Sequence, residues 1–181
     1  MAMSDKKNAL YFVRIIGVLL VITMCVAALL ALVNDITEER IAANKQADLE
    51  KALSNIFTDT NALNYENTNL NVDDKAFVEL CKVKDGDTEI GYYAHVTPKG
   101  FKGKVEMLVG IDLNGNVKGI EIIASSETPG IGDKIKNPDY LKDVAGGKYD
   151  TISGETYSSK AVINGVKLAL EAYGEYAKGG V

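Results

Sequence analysis

A 19-residue run without a charged side chain constrains this chain more than any other feature: residues 15–33 read IIGVLLVITMCVAALLALV. An α-helix rises about 1.5 Å per residue, so a helix over this run would be roughly 28 Å long, close to the thickness of a bilayer core. A helix also satisfies its own backbone hydrogen bonds, as lipid requires. The run therefore predicts one transmembrane helix, with residues 1–14 as a tail before it.

The charges on either side of the run predict its orientation. Lys6, Lys7 and Arg14 precede it, whereas Asp35 and Glu38 follow it. Because basic residues stay on the cytoplasmic side, we expect the N-terminus in the cytoplasm and the rest of the chain outside, as a single-pass cell-membrane protein. A cleaved signal peptide is the alternative, but the run exceeds the roughly 7–15 apolar residues of such a segment.

The composition argues against several classes of function. A net charge of −5 over 181 residues disfavours nucleic-acid binding, which needs basic side chains to neutralise phosphates. Two cysteines and one histidine are too few for a disulfide framework, a four-thiolate metal site or a histidine cluster. We expect Cys81 to be a small buried residue rather than a reactive thiol. We expect His95 to be an ordinary strand residue rather than a catalytic base. We therefore predict no metal site and no catalytic nucleophile.

Residues 34–75 differ from the chain on either side. Residues 36–57 combine helix-favouring side chains with apolar residues at helical spacing, so they predict a helical stalk. Residues 58–75 are rich in Asn, Asp and Thr and predict a connecting loop. We expect an extracytoplasmic domain over residues 76–181.

The pattern within that domain is mixed. Apolar runs predict four strands, at residues 76–83, 90–98, 105–113 and 117–124. Asn114-Gly115 lies between the last two and is a strong hairpin signal, because both residues tolerate positive φ. Helical patterns follow at residues 138–145 and about 158–177. The predicted fold class is α+β: an antiparallel sheet packed by helices, behind one N-terminal transmembrane helix.

Two small, polar, glycine-bearing segments are candidates for chemistry. Residues 127–132 read ETPGIG, but Ile135 stands where a dinucleotide fingerprint would need its last glycine, and a simple turn explains the residues well. Residues 150–159 read DTISGETYSS and lead into the last predicted helix. From these residues alone, hydroxyl capping of that helix is a slightly better explanation than a phosphate site at its N-terminus.

The segments together resemble a known family. The apolar anchor, GYYAHVTPKGFKGKVEMLVGIDLNGNVKGIEII, ETPGIGDK and DTISGETYSS occur in the order and spacing of the G component of the bacterial Rnf complex, the ion-translocating ferredoxin:NAD oxidoreductase. The C component of the sodium-pumping NADH:quinone oxidoreductase is a close relative, and the sequence does not fully separate the two. The resemblance covers most of the chain and implies an FMN-binding domain.

The resemblance also implies which residues hold the cofactor. FMN would be joined by a phosphoester to the Thr156 hydroxyl, and a separate flavin transferase would form this bond from FAD. Asp150, Ser153 and Gly154 match the same motif: the first two would position the segment for the transferase, and Gly154 would let another backbone approach. Ser159 is also expected at the cofactor. The loop expected to line the flavin ring contributes Glu127, Thr128, Gly130, Ile131 and Gly132.

Two positions depart from the family pattern. Glu155 replaces the usual alanine beside Thr156, and we expect its side chain to point to solvent, although its charge could slow attachment of the flavin. Ser125 and Ser126 replace a polar or basic pair that often precedes ETPG, which leaves the surroundings of the flavin undetermined.

The function implied by the resemblance is electron relay within an ion-pumping complex. The partners would be other membrane and redox subunits, so no complete activity is expected from this chain alone. Two alternatives stay open: an extracytoplasmic binding or sensor domain without covalent flavin, and a scaffold subunit. The scaffold would use small residues on the membrane helix, namely Gly17, Thr23, Ala27, Ala28 and Ala31.

Overall fold

The computed structural model describes residues 2–58, 60, 62–127 and 133–179. One helix, α1, runs from Ala2 to Ile56. The chain divides into two compact units between residues 47 and 48, within α1. In the first unit α1 is long and apolar enough to span a membrane, and no residue of its 18-residue apolar window is buried.

Helix α1 is longer than the sequence pattern suggested. The anchor at residues 15–33 and the stalk at residues 36–57 were expected as separate segments, but the structure joins them without a break. The reason lies in the sequence, because residues 18–57 contain neither glycine nor proline, the two residues that most readily end a helix.

The second unit contains a five-stranded antiparallel sheet. Its strands are β1 (Leu63–Asn67), β2 (Phe77–Asp85), β3 (Thr88–Val96), β4 (Val105–Ile111) and β5 (Val117–Ser125). Each strand pairs with its neighbour in sequence, in the order β1-β2-β3-β4-β5. A 3-10 turn at Asp133–Lys136 and two helices follow, α2 (Pro138–Ala145) and α3 (Thr156–Gly179). The predicted α+β class is confirmed.

Strand β1 corrects the expectation of a loop over residues 58–75. Leu63–Asn67 pairs antiparallel with β2 along its whole length, although four of its five side chains are exposed. An edge strand of this kind is held by backbone hydrogen bonds rather than by apolar burial, so it leaves little alternation in the sequence. The Asn67 amide adds a hydrogen bond of 2.8 Å to Oε2 of Glu79 on β2.

Both faces of the sheet are covered. On one face, Val162, Val166 and Ala169 of α3 pack over Met107 and Val109 of β4, which confirms that the last helix covers the sheet. On the other face, the end of α1 packs on β2, β3 and β4, through a second buried cluster that includes Leu53, Ile56, Phe57, Cys81, Tyr93 and Leu108. Full burial of a side chain such as Leu53 or Phe57 contributes roughly 1.5–3 kcal/mol.

The hairpin predicted at Asn114-Gly115 is present between β4 and β5. Gly115 has φ +84, in the left-handed region that favours glycine. The Asp112 carboxylate accepts hydrogen bonds of 2.8 Å from the backbone N–H groups of Asn114 and Asn116. These bonds, with that of the Asn116 backbone foremost, hold the pKa of Asp112 below its usual range.

Candidate functional site

The segment between α2 and α3 presents a short exposed turn. Asp150, Ser153 and Gly154 are exposed, and the Glu155 N–H donates a 3.0 Å hydrogen bond to the Ile152 carbonyl. Gly154 has φ +84, which a residue with a Cβ adopts only with strain. Nothing lies within 4 Å of where a Cβ on Gly154 would be, so the approach of another backbone to this residue stays a prediction. The glycine is needed for the shape of the turn.

The N-terminus of α3 is open to solvent at Thr156. Thr156 is the first residue of this 24-residue helix and is exposed. The helix has no acidic residue in its first turn, and Glu155, at the capping position, gives its carboxylate no hydrogen-bond partner among the described residues. The first N–H groups therefore keep the partial positive charge of a helix N-terminus, which favours an anion.

Ser159 has a structural contact in the same segment. It is fully buried, and its hydroxyl accepts a 3.1 Å hydrogen bond from the Ile152 N–H. Its carbonyl accepts a 3.3 Å hydrogen bond from the Tyr140 hydroxyl of α2. Of the several hydroxyls in the segment, this one therefore joins the turn to α3, whereas Thr156 lies at the exposed start of the helix.

The Glu155 side chain is buried, contrary to the expectation that it points to solvent. Its relative exposure is 4% for the residue. The reason is helical periodicity, because position 155 precedes the buried Ser158, Ser159 and Val162 by three, four and seven residues and so falls on the packed face of α3. Its nearest described cation is Lys134, whose Nζ lies 3.7 Å from Oε1.

Glu127 organises a second loop beside β5. It is buried, and its Oε1 accepts hydrogen bonds from the N–H groups of Phe101 (2.8 Å) and Lys102 (3.3 Å). The carboxylate therefore holds the turn between β3 and β4. The other residues predicted to line the flavin ring, Thr128, Gly130, Ile131 and Gly132, lie outside the described residues.

An exposed aromatic pair joins this turn to residues 150–159, which contain the candidate attachment residue. The rings of Phe101 and Tyr157 have centroids 5.9 Å apart at 42°, although the two residues are 66% and 69% exposed. Tyr157 directly follows Thr156, so the pair places a wide apolar surface next to the candidate attachment residue. Sequence reasoning missed Phe101, and the available signal was an aromatic residue between Gly100 and Gly103 in a turn.

The remaining candidates are residues of the sheet. Cys81 is buried, as expected, and burial raises the pKa of its thiol to about 11. His95 is a half-buried strand residue, also as expected, and its Nε2 lies 3.0 Å from Oε1 of Glu106. Among the described residues, no group of three or more His, Cys, Asp or Glu side chains is placed to hold a metal ion.

Comparison with known proteins gives two family matches. Residues 100–171, which include β4, β5, α2 and most of α3, match the FMN-binding domain, and residues 17–56 match the RnfG N-terminal region. The first match contains Phe101, Glu127, Lys134 and residues 150–159. The second falls within α1.

Curated relatives match over nearly the whole chain. The G component of the ion-translocating oxidoreductase complex of Haemophilus influenzae is 30% identical, over 90% of this chain and 88% of its own length. The same component from Vibrio cholerae is 29% identical over 86% and 87%, and that from Pasteurella multocida is 28% identical over 90% and 91%. The chain therefore belongs to the RnfG family, the G component of ion-translocating oxidoreductase complexes, with an FMN-binding domain over residues 100–171.

Proposed function

We propose that this chain is a membrane-anchored electron-transfer subunit of an Rnf-type complex that carries FMN on Thr156 through a phosphoester. The observation that carries the proposal is an exposed threonine at the open N-terminus of a 24-residue helix, within the part of the chain that matches the FMN-binding domain. Relatives that cover most of the chain are subunits of an ion-translocating oxidoreductase complex, which supports a redox role here.

The described residues fit the phosphate end of FMN. A phosphodiester on Thr156 would carry one negative charge, and the N–H groups at the start of α3 would stabilise it. Asp150 and Ser153 are exposed on the same turn, where a transferase can reach them. The buried Glu155 carboxylate opposes this fit, because it adds a negative charge beside the phosphate.

The described residues also fit the ring end of FMN. Phe101 and Tyr157 expose aromatic surface beside Thr156, and a flat flavin ring can stack on or against such a surface. Glu127 fixes the turn that presents Phe101, through its two backbone hydrogen bonds. We infer that Glu127 acts on the flavin through this turn.

Attachment would be a phosphoryl transfer without a change of oxidation state. The Thr156 hydroxyl oxygen would form a bond to the FMN phosphorus of FAD, the phosphoanhydride bond would break, and AMP would leave with the bonding electrons. The hydroxyl proton would pass to a base of the transferase, because the described neighbours of Thr156 show no hydrogen-bonded base. Bound flavin supplies one-electron and two-electron chemistry, while the protein supplies its position and electrostatic surroundings.

We infer that α1 anchors the domain with the N-terminus in the cytoplasm and the FMN domain outside. Lys6, Lys7 and Arg14 before the apolar run support this orientation. The run has no charged residue, so it has no side chain that could relay an ion across the bilayer. Ion movement would therefore belong to other subunits, and a covalent bond would keep the flavin on an exposed domain that could not replace a lost one.

The test is to produce the full-length chain with a flavin transferase and to look for flavin fluorescence after denaturing electrophoresis. Fluorescence should survive denaturation, and mass spectrometry should find FMN on Thr156. Thr156→Val should abolish it, whereas Thr151→Val, at an exposed threonine of the same segment, should not. An unmodified Thr156 in the presence of active transferase would contradict the proposal and favour a sensor or scaffold domain.

A further inference from the structure

The buried carboxylate beside the attachment residue is an unusual feature of this site. The Glu155 side chain is 2% exposed, and neither of its oxygens has a hydrogen-bond partner in the described structure. A buried charge without hydrogen bonds is unfavourable unless a counter-ion lies close. Lys134 is the cation that meets this need among the described residues, with Nζ 3.7 Å from Oε1.

Lys134 differs from Glu155 in its access to solvent. Its side chain is 61% exposed, so the ammonium group lies at the surface while the carboxylate lies beneath it. The 3.7 Å separation is an ion-pair distance and too long for a hydrogen bond. The ammonium group has three N–H donors, and its contact with Glu155 leaves them for another acceptor.

The position of the pair in the chain connects two parts of the site. Lys134 lies in the 3-10 turn at Asp133–Lys136, which directly follows residues 127–132. Glu155 directly precedes Thr156 at the start of α3. The ion pair therefore brings a cation from one segment to the N-terminus of the helix in the other, where an anion on Thr156 would be.

We propose that Lys134 binds the phosphate of FMN and that Glu155 is the positioning residue that holds Lys134 there. This inference rests on the proposed attachment at Thr156. With a phosphodiester in place, residues 155 and 156 carry two adjacent negative charges, which repel each other unless a cation is shared between them. Lys134 neutralises one of them, so the chain keeps a buried glutamate where it would otherwise oppose the cofactor.

The effect of Lys134 on flavin attachment should therefore depend on the presence of Glu155. Without Lys134, Glu155 faces the phosphate uncompensated, and attachment is impaired. Without Glu155, the phosphate needs only the helix N-terminus, and Lys134 loses most of its importance. A double-mutant cycle measures this coupling directly.

The experiment uses purified, full-length, unmodified chain in detergent, with FAD and a flavin transferase, and follows covalent flavin fluorescence over time. Lys134→Met should lower kcat/KM of the transfer about tenfold, whereas Lys134→Arg should restore most of it. Lys136→Met, in the same turn, is the matched control and should not alter the rate. In a Glu155→Ala chain, adding Lys134→Met should have little further effect on the rate.

The outcomes separate this inference from the proposed function. If the parent chain takes no flavin on Thr156, both fail. If the parent chain is modified but Lys134→Met is modified as fast, the inference about Lys134 fails and the attachment site stands. The same conclusion follows if Lys134→Met lowers the transfer rate by the same factor with and without Glu155. Thermal unfolding of each variant identifies loss of fold, and Lys134→Gln, which keeps a polar side chain, replaces Lys134→Met if the latter unfolds.

Discussion

The Glu127 carboxylate occupies the space that a side chain at position 100 would need. A Cβ built on Gly100 would lie 2.2 Å from Oε1 of Glu127, well inside any real contact distance. The same oxygen accepts the hydrogen bonds of the Phe101 and Lys102 N–H groups. Gly100 is therefore required because it lets a buried carboxylate reach the backbone of the turn that presents Phe101.

Replacement of Gly100 should loosen this turn. In Gly100→Ala the new methyl group displaces the Glu127 carboxylate, and two hydrogen bonds to a charged group are lost. We expect the free energy of unfolding to fall by about 1–3 kcal/mol, measured by chemical denaturation of the full-length protein in detergent. Gly146→Ala is the control, because its Cβ would have ordinary contacts of 3.4 Å at φ −76 and should be tolerated.

Two glycines that face each other across β4 and β5 should respond differently to alanine. Gly110 pairs with Gly119, and Ile56 of α1 packs on both. A Cβ on Gly110 would lie 2.2 Å from Cγ2 of Ile56, whereas one on Gly119 would lie 3.5 Å away. Gly110→Ala should destabilise the fold by about 1–3 kcal/mol, because the β-branched Ile56 cannot easily move aside.

Gly119→Ala supplies the comparison in the same denaturation measurement. Its contacts are ordinary, so we expect a change within about 0.5 kcal/mol. Equal losses of the free energy of unfolding in the two variants would show that the contact with Ile56 does not cause the loss in Gly110→Ala.

The aromatic pair should restrain a flavin attached at Thr156. In Phe101→Ala, Tyr157 loses its ring partner, and the flavin ring loses apolar surface to rest on. We expect attachment to persist and the fluorescence anisotropy of the folded, modified protein to fall, because the ring moves more freely. Leu113→Ala, at an exposed residue of the β4–β5 hairpin, should leave the anisotropy unchanged; an equal fall there would argue against a local effect.

Cys81 should be inert in the folded protein. It is 1% exposed, and burial raises the pKa of its thiol to about 11, so little thiolate forms near pH 8. In a Cys25→Ser background, iodoacetamide should label Cys81 only after denaturation, as mass spectrometry can show. Rapid labelling of the folded protein would contradict the buried packing of β2.

The same pKa shift predicts how the free energy of unfolding changes with pH. The folded thiol keeps its proton to higher pH than the unfolded one, whose pKa is near 9.0. Its contribution is therefore fully present below about pH 9 and is lost as the pH rises toward about 11. In Cys81→Ala, the first part of the fall in the free energy of unfolding with rising pH should disappear. This part begins before tyrosines titrate near pH 10.

The elements of the fold that follow from periodicity were predicted from the sequence. Those that depend on contacts between different segments of the chain were missed. The membrane run, four strands, the hairpin at Asn114-Gly115 and the covering helix all follow from apolar spacing and turn residues. Leu63–Asn67 was missed because an edge strand held by its backbone needs no alternation of side chains. Its pairing partner is the next strand, β2, but the paired residues are 14 to 22 positions apart, so a short sequence window does not include both.

The errors at the candidate site have a similar origin. Glu155 was expected in solvent because charged residues usually are, but its place on the packed face of α3 overrides that preference. Counting helical positions back from Val162 would have revealed this. For Gly154 the sequence predicted a close approach of another backbone, and the structure adds that the turn itself requires its positive φ. The ring contact between Phe101 and Tyr157 joins residues 56 positions apart, so no local pattern could give it.

The order of the strands has a consequence for how the protein matures. Because each strand pairs with its neighbour in sequence, the sheet can be completed in the order in which the ribosome makes it. Helix α3 is made after the sheet, and the hydrogen bond from the Ile152 N–H to the Ser159 hydroxyl, which ties the turn before Thr156 to that helix, forms only when the helix is present. A chain that stops before α3 would thus lack both the helix that covers one face of the sheet and the complete turn beside Thr156, the proposed flavin acceptor. If FMN is attached at Thr156 as proposed, incomplete chains would therefore not receive the cofactor.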